Sequence, residues 1–278
     1  MKRVFEGVGK WIKKRGVVAA ALSVIVLAIM VARFLRRDYF AVFLCVLTLF
    51  LFNLPVIAHR VLKITLPKEL QITVLLFVFA AEILGEIGSF YTYVPWWDTM
   101  LHAVNGFLMA AIGFSLIDIL NNSPHFHISL SPVFVAVVAF CFSMTIGVLW
   151  EFFEFVMDSV FSTDMQKDTV ISSISSVLLN PDGKNEVVHL TNISETVLMN
   201  GDTVIRRFGG YIDVGIVDTM KDLIVNCIGA IVFSAIGYFY IIGRDKGRIA
   251  KRFIPQYDPE SVKAEKEERE KAKKTKVK

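Results

Sequence analysis

Residues 132–160 read PVFVAVVAFCFSMTIGVLWEFFEFVMDSV. No charged residue occurs from 132 to 150, and at ~1.5 Å of rise per residue that run covers most of a hydrocarbon core about 30 Å thick. The run then ends in Glu151-Phe-Phe-Glu154-Phe-Val-Met-Asp158. Acids at i, i+3 and i+7 fall on one face of a helix. One stretch therefore predicts both a membrane-crossing helix and a stripe of carboxylates at its end.

The rest of the chain repeats the first half of that reading. Similar apolar runs occupy roughly 17–35, 39–58, 70–91, 97–120 and 217–242. Hydrophobic residues make up 54% of the 278, Phe alone contributes 23, and mean hydropathy is +0.56. A soluble domain of this length needs more polar surface than that composition supplies. The expected fold is an all-α polytopic membrane protein with about six transmembrane helices. No open sheet replaces them, because backbone groups facing lipid must be satisfied within their own segment. Cys45, Cys141 and Cys227 all sit inside apolar runs, without metal-ligand spacing or a disulfide pattern. The basic start followed by an apolar run resembles a secretory signal, but Val17 to Leu35 is too long and ends in Arg36-Arg37. It reads as a retained first helix.

Lys and Arg set the expected orientation. Residues 1–16 form a basic N-terminus, the connection 59–69 carries Arg60, Lys63 and Lys68, and the stretch after the last span begins with Arg244, Lys246 and Arg248. In a six-span chain all three lie on one side, which should be the cytoplasm, giving a multi-pass protein of the plasma or inner membrane with both termini inside. Arg33, Arg36 and Arg37 disagree, standing at the first outer turn, where they must snorkel or pair with Asp38. The expected division is helices one to five over 17–160, an insert over 161–216, helix six over 217–242 and a charged cytoplasmic tail over 243–278. The tail from 253 onward reads as disordered or as a solvated helix. The insert reads as a small β-rich extracytoplasmic element. Its β-prone runs are Val170–Leu179, Glu186–Leu190, Glu195–Met199 and Thr203–Arg207, with Asp182-Gly183 and Asn200-Gly201 as turn signals.

On this topology the acids converge near the outer face. The third span carries Glu82 and Glu86 towards its outer end, the fourth begins with Asp98 and His102, and the sixth begins with Asp218 and Asp222, followed by Asn226. Glu151, Glu154 and Asp158 join them from the fifth, and Asp164 and Asp168 approach from the loop. An ionised carboxylate in hydrocarbon is costly unless it faces water, a cation or a partner. Carboxylates here outnumber the nearby bases Lys167 and Lys221. Asp98, His102, Glu151, Glu154, Asp158, Asp218 and Asp222 are accordingly the candidate ligands of a divalent cation, with His102, Glu151 and Asp222 as candidate catalytic groups. Two bland readings compete. Buried acids can form a structural network that fixes helix register, and Asp98, Asp158 and Asp218 at helix ends can simply be solvated. His125 and His127 read as a solvated turn, and His59 and His189 show no evident partner.

Asp98-Thr99-Met100-x-His102 recurs as Asp218-Thr219-Met220-x-Asp222, and each start is followed by a glycine, Gly106 or Gly229, that permits close packing. Two helix N-termini beside one polar mouth would suit a cation together with an anion such as a lipid phosphate.

At these residues the sequence resembles the YjdF-type bacterial membrane proteins and, more distantly, the VanZ-like proteins. The resemblance rests on Trp97-Asp98-x-x-x-His102-x-x-x-Gly106, Trp150-Glu151-Phe-x-Glu154, and Asp218-Thr219-x-x-Asp222 with Gly229-Ala230. It implies a compact multi-span bundle, and the VanZ-like members are associated with glycopeptide resistance. The β-rich insert departs from the shorter YjdF pattern.

Three functions fit: a cation-dependent site, enzymatic or binding, for a lipid or cell-envelope precursor at the outer leaflet; a transporter with a carboxylate proton or cation relay; and a structural or sensory protein whose insert holds a partner. Membrane lipid is the expected surrounding partner. A nucleic-acid partner, P-loop chemistry and a serine triad have no support in the motifs.

Overall fold

In the computed structural model the described residues are 16–57, 64–121, 130–243, 252–254 and 256–257. The basic residues before 16, together with His59, Arg60, Lys63, His125, His127, Arg244, Lys246, Arg248 and the tail from 258, lie outside them. Among the described residues six helical spans are long and apolar enough to cross a membrane. They are α1 (Val17–Leu35), a span over Tyr39–Ile57 that opens with α2 (Tyr39–Leu51), a span over Lys68–Ile87, α5 (Trp97–Asn121), α6 (Pro132–Phe161) and α7 (Ile216–Ile242). The protein is a polytopic helical membrane protein.

Side-chain burial follows the solvent expected of a bilayer. Large apolar groups face outward, with Phe40, Phe43 and Phe50 on the second span each more than half exposed. Small and polar residues turn inward. Ser23, Thr48 and Ser115 are buried, and each hydroxyl donates to the carbonyl four residues back, so no polar atom of theirs is left to the hydrocarbon.

The chain divides into two compact units, one of residues 1–146 with 225–278 and one of Gly147–Ile224. The first holds two apolar cores. Val26, Cys45, Phe52, Leu75, Val78 and Ile83 pack the first three spans together. Ala110, Phe114, Val135, Ala139, Ala230 and Phe233 pack α5 against the first half of α6 and the second half of α7.

Two sequence expectations change in this unit. The third span begins as α3 (Lys68–Val78) and continues as a π-helical stretch, Phe79–Ile87, instead of running to residue 91. Gly88 N donates to Ile83 O, and Ser89 then takes a left-handed backbone, φ 60°, before the single turn α4 (Phe90–Tyr93). Trp97 closes this corner by donating from Nε1 to Ala80 O at 3.3 Å and packing edge-on against Phe90. The second change concerns the start of the tail. Ile254 is 1% exposed within the second core, and Phe253 packs edge-on against Phe107 at 5.2 Å. The strand β1 (Ile64–Thr65) pairs with β8 (Gln256–Tyr257). An apolar Phe-Ile pair docks on the bundle before the charged run begins, so disorder does not start at residue 253.

In the second unit the insert carries β2 (Val170–Ile171), β3 (Ile174–Ser176), β4 (Val188–Leu190), β5 (Thr196–Asn200), β6 (Thr203–Phe208) and β7 (Tyr211–Ile212). They form three antiparallel pairs, β2 with β7, β3 with β4 and β5 with β6. The run 170–179 breaks in two and ends in a 3₁₀ turn, because Ser176 Oγ accepts from Leu178 N and stops the ladder. The β5–β6 loop is Gly201-Asp202, one residue later than expected. Asn200 still pairs with Thr203, and Gly201 supplies the positive φ of 57°. The β2–β7 pair, which the sequence does not signal, ties the two ends of the insert together. His189 gains a partner as well: the β3–β4 register sets it opposite Ser175, Oγ to Nδ1 2.7 Å.

Candidate functional site

The first unit carries a polar cluster where α5, α6 and α7 meet. α5 is half buried, against 22–33% for the other spans, so its side chains are the most enclosed of the six. Its first turns place Asp98 and His102 at i,i+4. His102 Nε2 stands 3.6 Å from Asp98 Oδ1, with side-chain exposures of 7% and 30%. One turn further, Asn105 Nδ2 donates to Asn226 Oδ1 of α7 at 3.1 Å. Asn226 is fully buried, and its amide nitrogen reaches Ser143 O of α6 at 3.5 Å. Ser143 Oγ in turn donates to Gly106 O at 2.8 Å.

Two glycines make this meeting possible. A Cβ on Gly106 would overlap the backbone carbonyl of Asn226, and one on Gly229 would overlap the carbonyl of Ala103. The α5 and α7 backbones therefore touch at 103–106 and 226–229, as small residues allow in membrane bundles. This is the close packing that the paired glycines of the repeated motif predict.

The second unit shows what the remaining acids do. Asp158, near the end of α6, accepts from Thr163 Oγ1 (2.7 Å), Met165 N (2.7 Å) and Gln166 N (2.8 Å). Asp218 accepts from Lys167 N at 2.8 Å and lies 3.9 Å from Lys221 Nζ. Gln166 Nε2 donates to Thr219 Oγ1 at 2.6 Å. Asp158 and Asp218 thus hold the same short loop, 163–167, by its backbone amides. Asp213 caps α7, accepting from Ile216 N and Val217 N. Lys167 Nζ bonds back to Asp164, both to its carbonyl and to its carboxylate. Asp168, outside the spans, has its carboxyl raised above the usual 3.8, first by desolvation and then by the carboxylates of Asp164, Asp213 and Asp158.

Glu151 and Glu154 are 4% and 8% exposed, and Trp150 Nε1 donates to Glu154 Oε1 at 2.8 Å. With Val135, Ala139, Ser143 and Gly147 they account for every buried position of α6, a single stripe along the helix. Asp222, 1% exposed, stands one turn before Asn226 on α7.

Three residues of this architecture escape the sequence reading. Asn105 continues the Asp98–His102 stripe at i+3, and Ser143 continues the Glu151 stripe two turns earlier. Asp213 stands three residues ahead of the helix start, within reach of the first free amides of α7. A helical phase extended from the acids finds Asn105 and Ser143.

No curated protein and no solved structure matches the chain. A family model described as "Predicted membrane protein (DUF2238)" matches residues 17–243, taking in all six spans and the insert. That match supports a membrane-protein family without reaching the YjdF-type or VanZ-like assignment in particular. The chain belongs to the family described as Predicted membrane protein (DUF2238).

Proposed function

We propose that the protein holds a divalent cation at Asp98 and His102 and uses it to bind or process a lipid or cell-envelope precursor. The observation that carries this reading is the separation of the two side chains. At 3.6 Å, His102 Nε2 and Asp98 Oδ1 are too far apart for a good hydrogen bond. They stand near the ~3.3 Å that separates two ligands of one ion with bonds of about 2 Å at a tetrahedral angle. A nitrogen and a carboxylate oxygen suit zinc, a borderline ion, or the harder manganese.

From their sequence positions, Asp222 is the further ligand in this proposal and Glu151 its candidate proton-transfer group. Asp158 and Asp218, expected from sequence as ligands, are given the lesser role of ordering the 163–167 loop, because their oxygens already accept from its amides. The basic N-terminus and the Arg and Lys after the last span support termini in the cytoplasm of a cell membrane. That orientation makes 161–216 an extracytoplasmic insert and turns the site towards the outer leaflet. The motif resemblance to YjdF-type and VanZ-like proteins supports a cell-envelope substrate.

The test is a thermal-unfolding titration of chelator-treated protein in detergent with zinc or manganese. A ligand that binds only the folded state raises apparent stability by about 2.7 kcal/mol at a hundredfold excess over its dissociation constant. The wild type and Asp158→Asn should gain stability, while His102→Ala and Asp98→Asn should not. An equal gain in the His102→Ala protein sinks the proposal.

A further inference from the structure

We infer a second site, remote in sequence from the motifs above, where the protein binds an anionic phospholipid between its first and third spans. A groove of about 420 Å³ runs between α1 and the π-helical stretch. Ile25, Ile29 and Ala32 line it from α1, and Phe79, Ile83, Leu84 and Ile87 from the third span, with Arg33 and Arg36 among its lining residues.

The π-helical register shapes this wall. Bonds from i to i+5 bring residues four and five apart onto one face, which is the spacing of Phe79, Ile83, Leu84 and Ile87. Arg33 is fixed at the groove, donating to Asp38 Oδ2 at 3.2 Å and to Ile87 O at 3.1 Å. Its charge is therefore balanced and its position set. Arg36 and Arg37 are exposed, and no ion pair engages either among the described residues. The corner thus presents two exposed guanidinium groups, Arg36 and Arg37, beside the Arg33–Asp38 pair.

An apolar trough ending in exposed guanidinium groups matches one amphiphile, a phospholipid with a net negative headgroup. Its acyl chain would lie along Ile25, Ile29 and Ala32, and its phosphate would accept from Arg36, with Arg33 beside it. Arginine suits that contact because its planar donors match phosphate oxygens in pairs. A free phosphate ion would gain nothing from the trough, and a zwitterionic lipid, whose ammonium offsets its phosphate, would gain less from the arginines. The site also gives a use to the basic corner that conflicts with the charge rule for membrane topology.

The experiment is native mass spectrometry of the full chain released from nanodiscs of equal parts phosphatidylglycerol and phosphatidylcholine. The wild type should retain phosphatidylglycerol in preference. The Arg36→Gln/Arg37→Gln protein should lose about thirtyfold of that preference, the scale set by two bases beside an anionic surface. Ala32→Phe, which fills the groove and leaves every charge in place, should lose it too, while Arg36→Lys retains part. Circular dichroism and size-exclusion profiles establish that each variant is folded. If the double variant does not fold, Ala32→Phe and Arg36→Lys decide. Equal retention of the two lipids by the wild type overturns the inference. So does an undiminished preference in either the folded double variant or Ala32→Phe.

Discussion

Asn226 shows how much a single amide does in this bundle. It accepts from Asn105, reaches the Ser143 carbonyl, and lies where α5 and α7 touch through glycine. Polar bonds between membrane helices average about 0.6 kcal/mol and reach about 1.7. Asn226→Leu should therefore destabilise the protein by about 1 kcal/mol or more, read as an earlier transition in denaturant titration of micellar protein, since it also leaves the Asn105 amide without its acceptor. Asp168 is a residue whose surroundings oppose its charge. Its carboxyl is raised above the usual 3.8, so the folded insert favours the protonated form. That contribution is fully present below the unfolded value and is lost as pH rises through the folded value. Asp168→Asn should remove this loss, giving an insert more protected at neutral pH than the wild type and no different at acid pH. Amide hydrogen exchange across the β2–β7 pair measures it. The Asp98–His102 pair, the buried Glu151 and Glu154 and the buried Asp222 were all legible in sequence, because acids in an apolar run stand out. Asn105 and Ser143 were not, because a neutral polar side chain in a membrane helix is common and its partner depends on which helices cross.

At the scale of elements, the spans are where sequence reading succeeds most fully. Expected limits such as 132–160 and 217–242 fall within a residue of Pro132–Phe161 and Ile216–Ile242. Lipid demands long uninterrupted apolar runs, and a run of that kind can be read without any tertiary information. The third span fails at its end because the π-helical turn and the left-handed Ser89 follow from packing against Trp97 and Arg33, not from local preference. The strand pairs of the insert divide in the same way. The β5–β6 hairpin is local and was visible in Asn200-Gly201, whereas β2–β7 joins residues some forty apart and leaves no local mark. Asp213 links these levels by capping α7 as the chain leaves β7. Asp213→Ala should cost about 1 kcal/mol, the usual scale for a lost cap, and should speed hydrogen exchange at Ile216 and Val217 while leaving the Asn226 region protected.

For the whole molecule, a six-span membrane helix bundle brings hydrophobic length and polar content into conflict, and the protein resolves it by turning its polar groups inward. Every buried position of α6 lies on one stripe, and that stripe carries Ser143, Glu151 and Glu154. A bundle stabilised by packing alone would put alanine and leucine there. The retained acids and the His102–Asp98 spacing are the reasons to propose a cation for this protein. Elemental analysis of the wild type purified from membranes without added metal, alongside His102→Ala and Asp98→Asn made the same way, tests that proposal most directly. The account predicts a stoichiometric transition metal in the wild type and its loss from both folded variants. Metal retained at the wild-type level by folded His102→Ala, or a folded wild type that carries none and takes none up when it is supplied, would contradict it.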